Sequence, residues 1–218
     1  MFVREIITEG ITTLKVDDTC AMALRCMEEM NVSHLPIVDD GRYLGVISDL
    51  VASVSSPQLP MRKLNLGGSA FVRDYQTIFE VMRVMNEYSL TVVPVLDDLE
   101  RYVGAITMNS MMTCLSQSMS AAEPGSVLVV ELNANDYMLS EMARIVEDND
   151  TKILSLVMQT SPDSMQIRVF IKLNKIEIDP IIKTFERYGY NVISSLYERD
   201  DWEEIRDRYN EFMNYLNI

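Results

Sequence analysis

Shifted by 58 positions, the first half of this chain falls onto itself. Arg4 meets Arg62, Gly10 meets Gly68, Thr19 meets Thr77, Arg25 meets Arg83, Met27 meets Met85, and Pro36 meets Pro94. Asp39-Asp40 meets Asp97-Asp98, one residue is then inserted, and at a shift of 59 Arg42, Tyr43, Gly45 and Ile47 meet Arg101, Tyr102, Gly104 and Ile106. The gap falls in a turn, where insertions are tolerated. A register kept over roughly fifty residues with one such gap is an internal repeat, and it dictates the architecture. A unit this small has a sheet whose second face must be covered, so two copies are expected to cover each other as a pseudo-symmetric pair with clefts between them.

Each copy has the same internal order. Residues 11–16 form a short extended segment. Residues 18–31 are helical, with Ala21, Leu24, Met27 and Met30 at helical spacing behind an Asp17-Asp18-Thr19 cap region. LPIVDDGRYLGVIS, residues 35–48, then reads as strand, tight turn and strand, because Asp40-Gly41 supplies the positive φ of a hairpin turn. A second short helix covers 49–55. In the second copy the long helix spans about 76–88, with Ile78, Val81, Met82 and Met85 on one face, and the closing helix about 108–118. The copies run from about 3–57 and 61–117, joined by a proline-bearing bridge at 55–60. The methionines of these helices (Met22, Met27, Met30, Met82, Met85, Met108, Met111, Met112) suit core and interface.

After a small, polar linker at 118–126 the rhythm changes. Strands are expected at 127–132, 152–160, 165–173 and 190–198, and helices at 137–148 and 177–188. Gly189 suits the position after the second helix. The order βαββαβ is that of a ferredoxin-like domain over 126–198. Residues 199–218 carry Trp202, Ile205, Tyr209, Phe212, Met213 and Leu216 as one stripe of an amphipathic C-terminal helix. Such a stripe docks either on its own domain or on a partner chain. The fold class is α+β.

Several functions are disfavoured. A net charge of −14 argues against nucleic acid, whose phosphates require clustered Lys and Arg. No apolar run approaches the roughly 20 residues of a membrane span, and no export signal is read at the N-terminus. Three cysteines without paired spacing suggest free thiols and a cytoplasmic location. The sequence holds no phosphate-cradling loop, no dinucleotide fingerprint, no nucleophile elbow and no metal-ligand spacing. With a single histidine, His34, a nucleophile–histidine pair would depend on that residue alone. No catalytic or metal-ligating constellation is therefore assigned.

The strand–helix–strand–strand–helix order, the Leu/Val-Pro-Val/Ile-x-Asp entry and the Gly-x-Ile-Ser/Thr exit resemble tandem cystathionine β-synthase (CBS) domains over residues 1–118 in both copies. The resemblance implies a flat two-repeat module whose clefts bind an adenosine-containing ligand such as AMP, ATP or S-adenosylmethionine. It also implies a regulatory rather than catalytic role, and frequent dimerisation. The ligand-binding positions it implies are Thr12, Thr13, His34, Leu35, Pro36, Ser48 and Asp49 in the first copy, and Val93, Pro94, Thr107 and Asn109 in the second. Where the family places the Asp that holds the ribose hydroxyls, this chain has Val51 and Ser110. His34 falls at the family's basic phosphate contact, and it equally suits a part-buried imidazole bonded to backbone.

The 126–198 domain resembles ACT domains, and the whole is similar to the acetoin-utilisation regulatory proteins that combine these modules. That resemblance implies dimerisation or a second ligand site at the loop carrying Asn135, Asp136, Met138 and Leu139, where Tyr137 stands in place of the family's Gly. The function implied is a cytoplasmic, non-catalytic, homodimeric regulator that senses an adenosyl ligand and acts on a protein target. The alternative is an oligomeric scaffold or partner-binding protein whose nucleotide sites have decayed.

Overall fold

The computed structural model of the protein describes residues 1–8, 10–64, 70–160 and 165–196. The C-terminal stripe of residues 199–218 lies outside the described residues. The chain divides into two compact units after Leu115, although one helix, Met108–Ser118, runs across the division.

In the first unit, α1 (Cys20–Met30) precedes β1 (His34–Asp39), β2 (Arg42–Ser48) and α2 (Asp49–Val54). The second copy has β3 (Val72–Arg73), α3 (Ile78–Tyr88), β4 (Val92–Leu96), β5 (Tyr102–Thr107) and α4 (Met108–Ser118). Both hairpins are antiparallel. Local chemistry starts and stops the helices in the same way. Thr19 Oγ1 accepts from Met22 N–H at 3.3 Å, and Thr77 forms a capping box with Glu80. Asn31 and Ser89 end the two long helices in the left-handed conformation, with φ of 52° each. The repeat extends to hydrogen-bond register: Leu14 lies parallel to Ile37 as Val72 lies parallel to Val95.

The inward face of α1 differs from the expected stripe. Cys20, Ala23, Cys26 and Met27 are buried and Ala21 is exposed, because two cysteines act as small apolar residues. On α3, Val84 replaces Met82, which is 40% exposed. The methionines split accordingly: Met27, Met85 and Met111 are core, whereas Met22, Met108 and Met112 face outward.

The copies are not closed by their own sequence. Val3 N–H donates to Gln76 O (2.8 Å) and Arg4 N–H to Asp74 O (3.0 Å), both in the second copy. Met61 N–H donates to Asp18 O and Arg62 N–H to Val16 O, each at 2.9 Å, in the first. These are the same two bonds displaced by 58 residues, with leaders exchanged. Val3 is buried in the cluster of Val81, Val93 and Ile106, and Met61 in that of Ala23, Leu35 and Ile47.

The pseudo-twofold axis passes where equivalent residues touch. Ser33 N–H donates to the hydroxyl of its own counterpart Thr91 at 2.9 Å. At the hairpin end, Arg42 lies opposite Arg101 in an antiparallel bridge.

The second unit has β6 (Ser126–Asn133), α5 (Leu139–Glu147), β7 (Ile153–Thr160), β8 (Gln166–Leu173), α6 (Asp179–Arg187) and β9 (Asn191–Leu196). Its sheet order is β7-β8-β6-β9, all antiparallel, which is the ferredoxin-like arrangement. Met142, Ile145, Val146, Ile178, Ile181 and Phe185 pack both helices on one face, against Leu128, Val130, Val169 and Ile171. Among the described residues no helix is long and apolar enough to cross a membrane.

The leader that crosses to the second copy runs directly over Gly104. Gly104 has φ of +152°, and a Cβ there would run into Ile7 Cγ2. Gly104→Ala should therefore lower stability by about 1–3 kcal/mol. Part of that loss should be recovered in the Ile7→Ala, Gly104→Ala double variant, as read from a double-mutant cycle in urea.

Candidate functional site

Strand pairing assembles the implied ligand positions into two equivalent groups. In the first copy, His34 faces Ser48, Leu35 faces Ile47 and Pro36 faces Val46. Leu14 N–H donates to Pro36 O at 2.9 Å, which brings the segment of Thr12 and Thr13 alongside Pro36. In the second copy, Val92 faces Thr107, Val93 faces Ile106 and Pro94 faces Ala105. Leu35, Pro36, Val93 and Pro94 are buried, while Thr12, Asp49 and Asn109 are exposed.

The two exit hydroxyls do not have the same freedom. Ser48 Oγ accepts from Val51 N–H at 3.2 Å and caps α2. Its own proton and second lone pair remain for another partner. Thr107 Oγ1 accepts from Ser110 N–H at 3.1 Å and donates to Ser110 Oγ at 3.3 Å. Ser110 Oγ in turn accepts from Thr107 N–H (3.1 Å) and donates to Thr107 O (2.9 Å). This closed pair starts α4 and uses both hydroxyls locally. Asp49 turns to its own helix: Leu50 N–H donates to its Oδ1 at 2.6 Å.

His34 is tied to the other copy. Thr91 N–H donates to His34 Nδ1 at 3.3 Å, and Thr91 Oγ1 lies 3.2 Å from the same nitrogen. Nδ1 is thus an acceptor, which fixes the neutral tautomer with its proton on Nε2. Burial pushes its pKa down, with Asp49 opposing more weakly. A protonated Nδ1 would set one donor against another.

Sequence reasoning missed Thr8. It lies opposite Ala105 and donates its N–H to Ala105 O at 2.8 Å, beside the second exit strand. Its Oγ1 is buried without a hydrogen-bond partner, as is Tyr102 Oη. A buried hydroxyl left unpaired costs on the order of 1–3 kcal/mol, so such an atom calls for a partner. The repeat itself concealed Thr8, because the residue 58 positions on is Leu66. Tyr43, the counterpart of Tyr102, has a partner: its hydroxyl donates to Ala70 O at 3.0 Å. Burial pushes Tyr102 up to about 12.

In the second unit a cleft of about 530 Å³ opens between the β6–α5 loop and the α6–β9 turn. Asn135, Asp136 and Met138 line it, whereas Leu139 does not. The far wall, Tyr188 to Asn191, was legible in the sequence only as a helix stop at Gly189. Tyr190 Oη donates to Glu141 Oε2 at 2.6 Å, and burial followed by that carboxylate raises the tyrosine's pKa. Among the described residues no group of three or more His, Cys, Asp or Glu side chains could hold a metal ion.

The His34 geometry makes stability depend on pH with a definite sign. A folded-state pKa below the unfolded value of about 6.5 means that the unfolded chain binds more protons in that range. The contribution is complete above the unfolded pKa and is lost as pH falls through the folded one. Urea unfolding between pH 8 and 5 should show stability falling on the acid side, and His34→Phe should remove that part of the slope. With only one histidine in the chain, the difference between the two profiles belongs to this residue.

Comparison with known proteins places these elements in a family. Residues 3–50 and 61–117 match the model described as CBS domain. A CBS domain-containing protein of Dictyostelium discoideum is 25% identical over 143 residues, covering 58% of this chain and 99% of that protein. A homoserine O-acetyltransferase of Methanosphaera stadtmanae is 30% identical over 101 residues, 44% of this chain, and the match spans only 21% of the enzyme's length. Among solved structures, a CBS domain pair/ACT domain protein from Thermotoga maritima is similar at 19% identity and a TM-score of 0.49. That match covers 55% of this chain and 99% of the other. The repeat, the register shared by both copies and the two family matches lead to one assignment: residues 3–50 and 61–117 are a tandem pair of CBS domains.

Proposed function

We propose that the chain is a non-catalytic regulatory protein that senses an adenosine-containing ligand, of the AMP, ATP or S-adenosylmethionine class, through its CBS pair. The observation that carries this reading is the buried, unpartnered Thr8 hydroxyl beside the second exit strand. In the first copy, Ser48 supports it by capping α2 while keeping its own proton to donate. Family membership supplies the ligand class. The second unit is read as an ACT-like domain serving in dimerisation or as a second ligand site. Its sheet order and the cleft that holds Asn135, Asp136 and Met138 support this. Homodimerisation is supported by the outward apolar residues of α2 and α4: Leu50, Val54, Met108 and Met112 are 69%, 79%, 49% and 61% exposed. The cytoplasm is the compartment proposed, consistent with three free cysteines.

Calorimetric titration with AMP, ADP, ATP and S-adenosylmethionine tests the reading. At least one should release heat and raise the melting temperature, since a ligand bound to the native state stabilises it. Neither effect at millimolar ligand would refute adenosyl sensing. A gain of function is also expected. Val51→Asp returns a carboxylate to the family's ribose position and should tighten the best ligand by about tenfold, equivalent to about 1.4 kcal/mol.

A second reading, an oligomeric scaffold, is favoured by the closed Thr107–Ser110 pair, which turns both hydroxyls to capping. It predicts a dimer by light scattering whose melting temperature is indifferent to nucleotide, and a monodisperse monomer would rule it out.

A further inference from the structure

The hairpin end of the CBS pair, remote from Ser48 and Thr107 along both strands, holds a cleft of about 620 Å³. It lies on the pseudo-dyad, yet it is lined unequally by the two copies. Its wall is Phe71, which stands where the first copy has Thr13. Its lip is Leu99 and Glu100, from the turn that carries the inserted residue.

Both features are held in place. Tyr43 meets Phe71 edge-on, with ring centroids 6.2 Å apart, and its hydroxyl holds the preceding carbonyl of Ala70. Behind Phe71, the Arg73 guanidinium lies 5.3 Å from the ring centroid. That guanidinium is fixed by Asp97 O at 2.6 Å and by the Glu100 carboxylate. The lip is pinned by Asp97 Oδ1, which accepts from Leu99 N–H and Arg101 N–H, both at 2.9 Å. Leu96, 2% exposed, forms the floor.

The charges around this cleft are unevenly satisfied. Arg42 and Arg101 lie directly opposite each other, an arrangement that is unfavourable for like charges. Asp97 pairs with Arg101 at 2.6 Å, and Arg73 with Glu100. Among the described residues, Arg42 and Asp40 have neither an ion pair nor a side-chain hydrogen bond. Of the charged residues that line the cleft, these two remain, one cation and one anion, two residues apart on a tight turn beside Tyr43, Phe71 and Leu99.

We propose that this cleft binds a free α-amino acid with an aromatic or branched apolar side chain. The carboxylate is directed to Arg42 and Arg101, the ammonium group to Asp40, and the side chain to the space between Tyr43, Phe71 and Leu99. A zwitterion answers both unpaired charges without adding net charge to the cleft, and the volume falls within the range of small-molecule sites.

The test is calorimetry on the full chain with L-phenylalanine and L-leucine. Three probes each lack one feature: 3-phenylpropionate has no ammonium group, phenethylamine no carboxylate, and glycine no apolar body. At least one of the two amino acids should bind, and each incomplete probe should bind about tenfold or more weakly than the better of them, equivalent to about 1.4 kcal/mol. Arg42→Gln should erase the preference over phenethylamine, and Asp40→Asn the preference over 3-phenylpropionate. Both residues are exposed, so these variants should retain the fold. No saturable binding of either amino acid at millimolar concentration overturns the proposal. So does equal binding of 3-phenylpropionate, which would mean a simple anion site. Binding unchanged in both variants also overturns it, because the amino acid would then lie elsewhere, as in the cleft of the second unit.

Discussion

Val3 and Met61 each complete the core of the copy to which they do not belong in sequence. Much of the first unit depends on this exchange. Without Met61, the cluster of Cys20, Ala23 and Ile47 lacks a side chain that is fully buried. Without Val3, the same holds for Val81, Val93 and Ile106. Truncating a buried residue of this size costs about 0.5–5 kcal/mol depending on how far the site can collapse, so neither copy is expected to be stable alone. The exchange also sets the path of the chain. To travel from Val3, bonded to the second copy, to Leu14, bonded to the first, residues 4–13 must cross the pair. That crossing carries Ile7 over Gly104 and Thr8 beside Ala105, and delivers Thr12 and Thr13 to Pro36.

The sequence made the repeat legible because repetition shows without knowledge of contacts. The glycines, prolines and capping residues coincide at a fixed shift, and the same shift reappears as register. It could not show the exchange, because a chain folded back on its own copy and one crossed to the other have the same self-similarity. The helix faces were partly misread for a different reason. Cys20 and Cys26 carry little weight in an apolar pattern, yet both are buried, whereas Ala21, which fits the pattern, is exposed. Of the residues lining the second unit's cleft, Asn135 and Asp136 could be named from the first βα connection alone. Tyr188, Tyr190 and Asn191 oppose them only because α6 and β9 return to that edge, a tertiary fact.

Each exit hydroxyl has a structural duty, and under the proposed ligand reading that duty leaves room for a further contact in one copy and competes with it in the other. A serine that caps through one lone pair still has a proton to give. Ser48 is of this kind, because the residue three further on is Val51, which offers only its backbone N–H. Thr107 is followed at the same spacing by Ser110, whose hydroxyl takes the threonine's proton and bonds back to its backbone. The family resemblance implies a ribose-binding acid at the position that Ser110 occupies here. Valine leaves the cap open and serine closes it, so the two exits of a nearly symmetric pair are chemically unequal.

The same inequality recurs at the opposite end of the pair from an unrelated cause. Exact twofold symmetry would place identical lips on both sides of the Arg42–Arg101 bridge and identical residues behind them. One inserted residue gives the second turn a longer tip, anchored on Asp97, and leaves the first as a two-residue turn at Asp40-Gly41. Phe71 in place of Thr13 gives only one side a wall. The inserted tip also supplies Glu100 as a partner for Arg73, which backs Phe71. The shorter turn holds Arg42 and Asp40 without partners. A pair that was symmetric throughout would have satisfied or exposed these charges in duplicate. Among the described residues that line the cleft, the loss of symmetry leaves one built wall facing one cation and one anion without an ion pair.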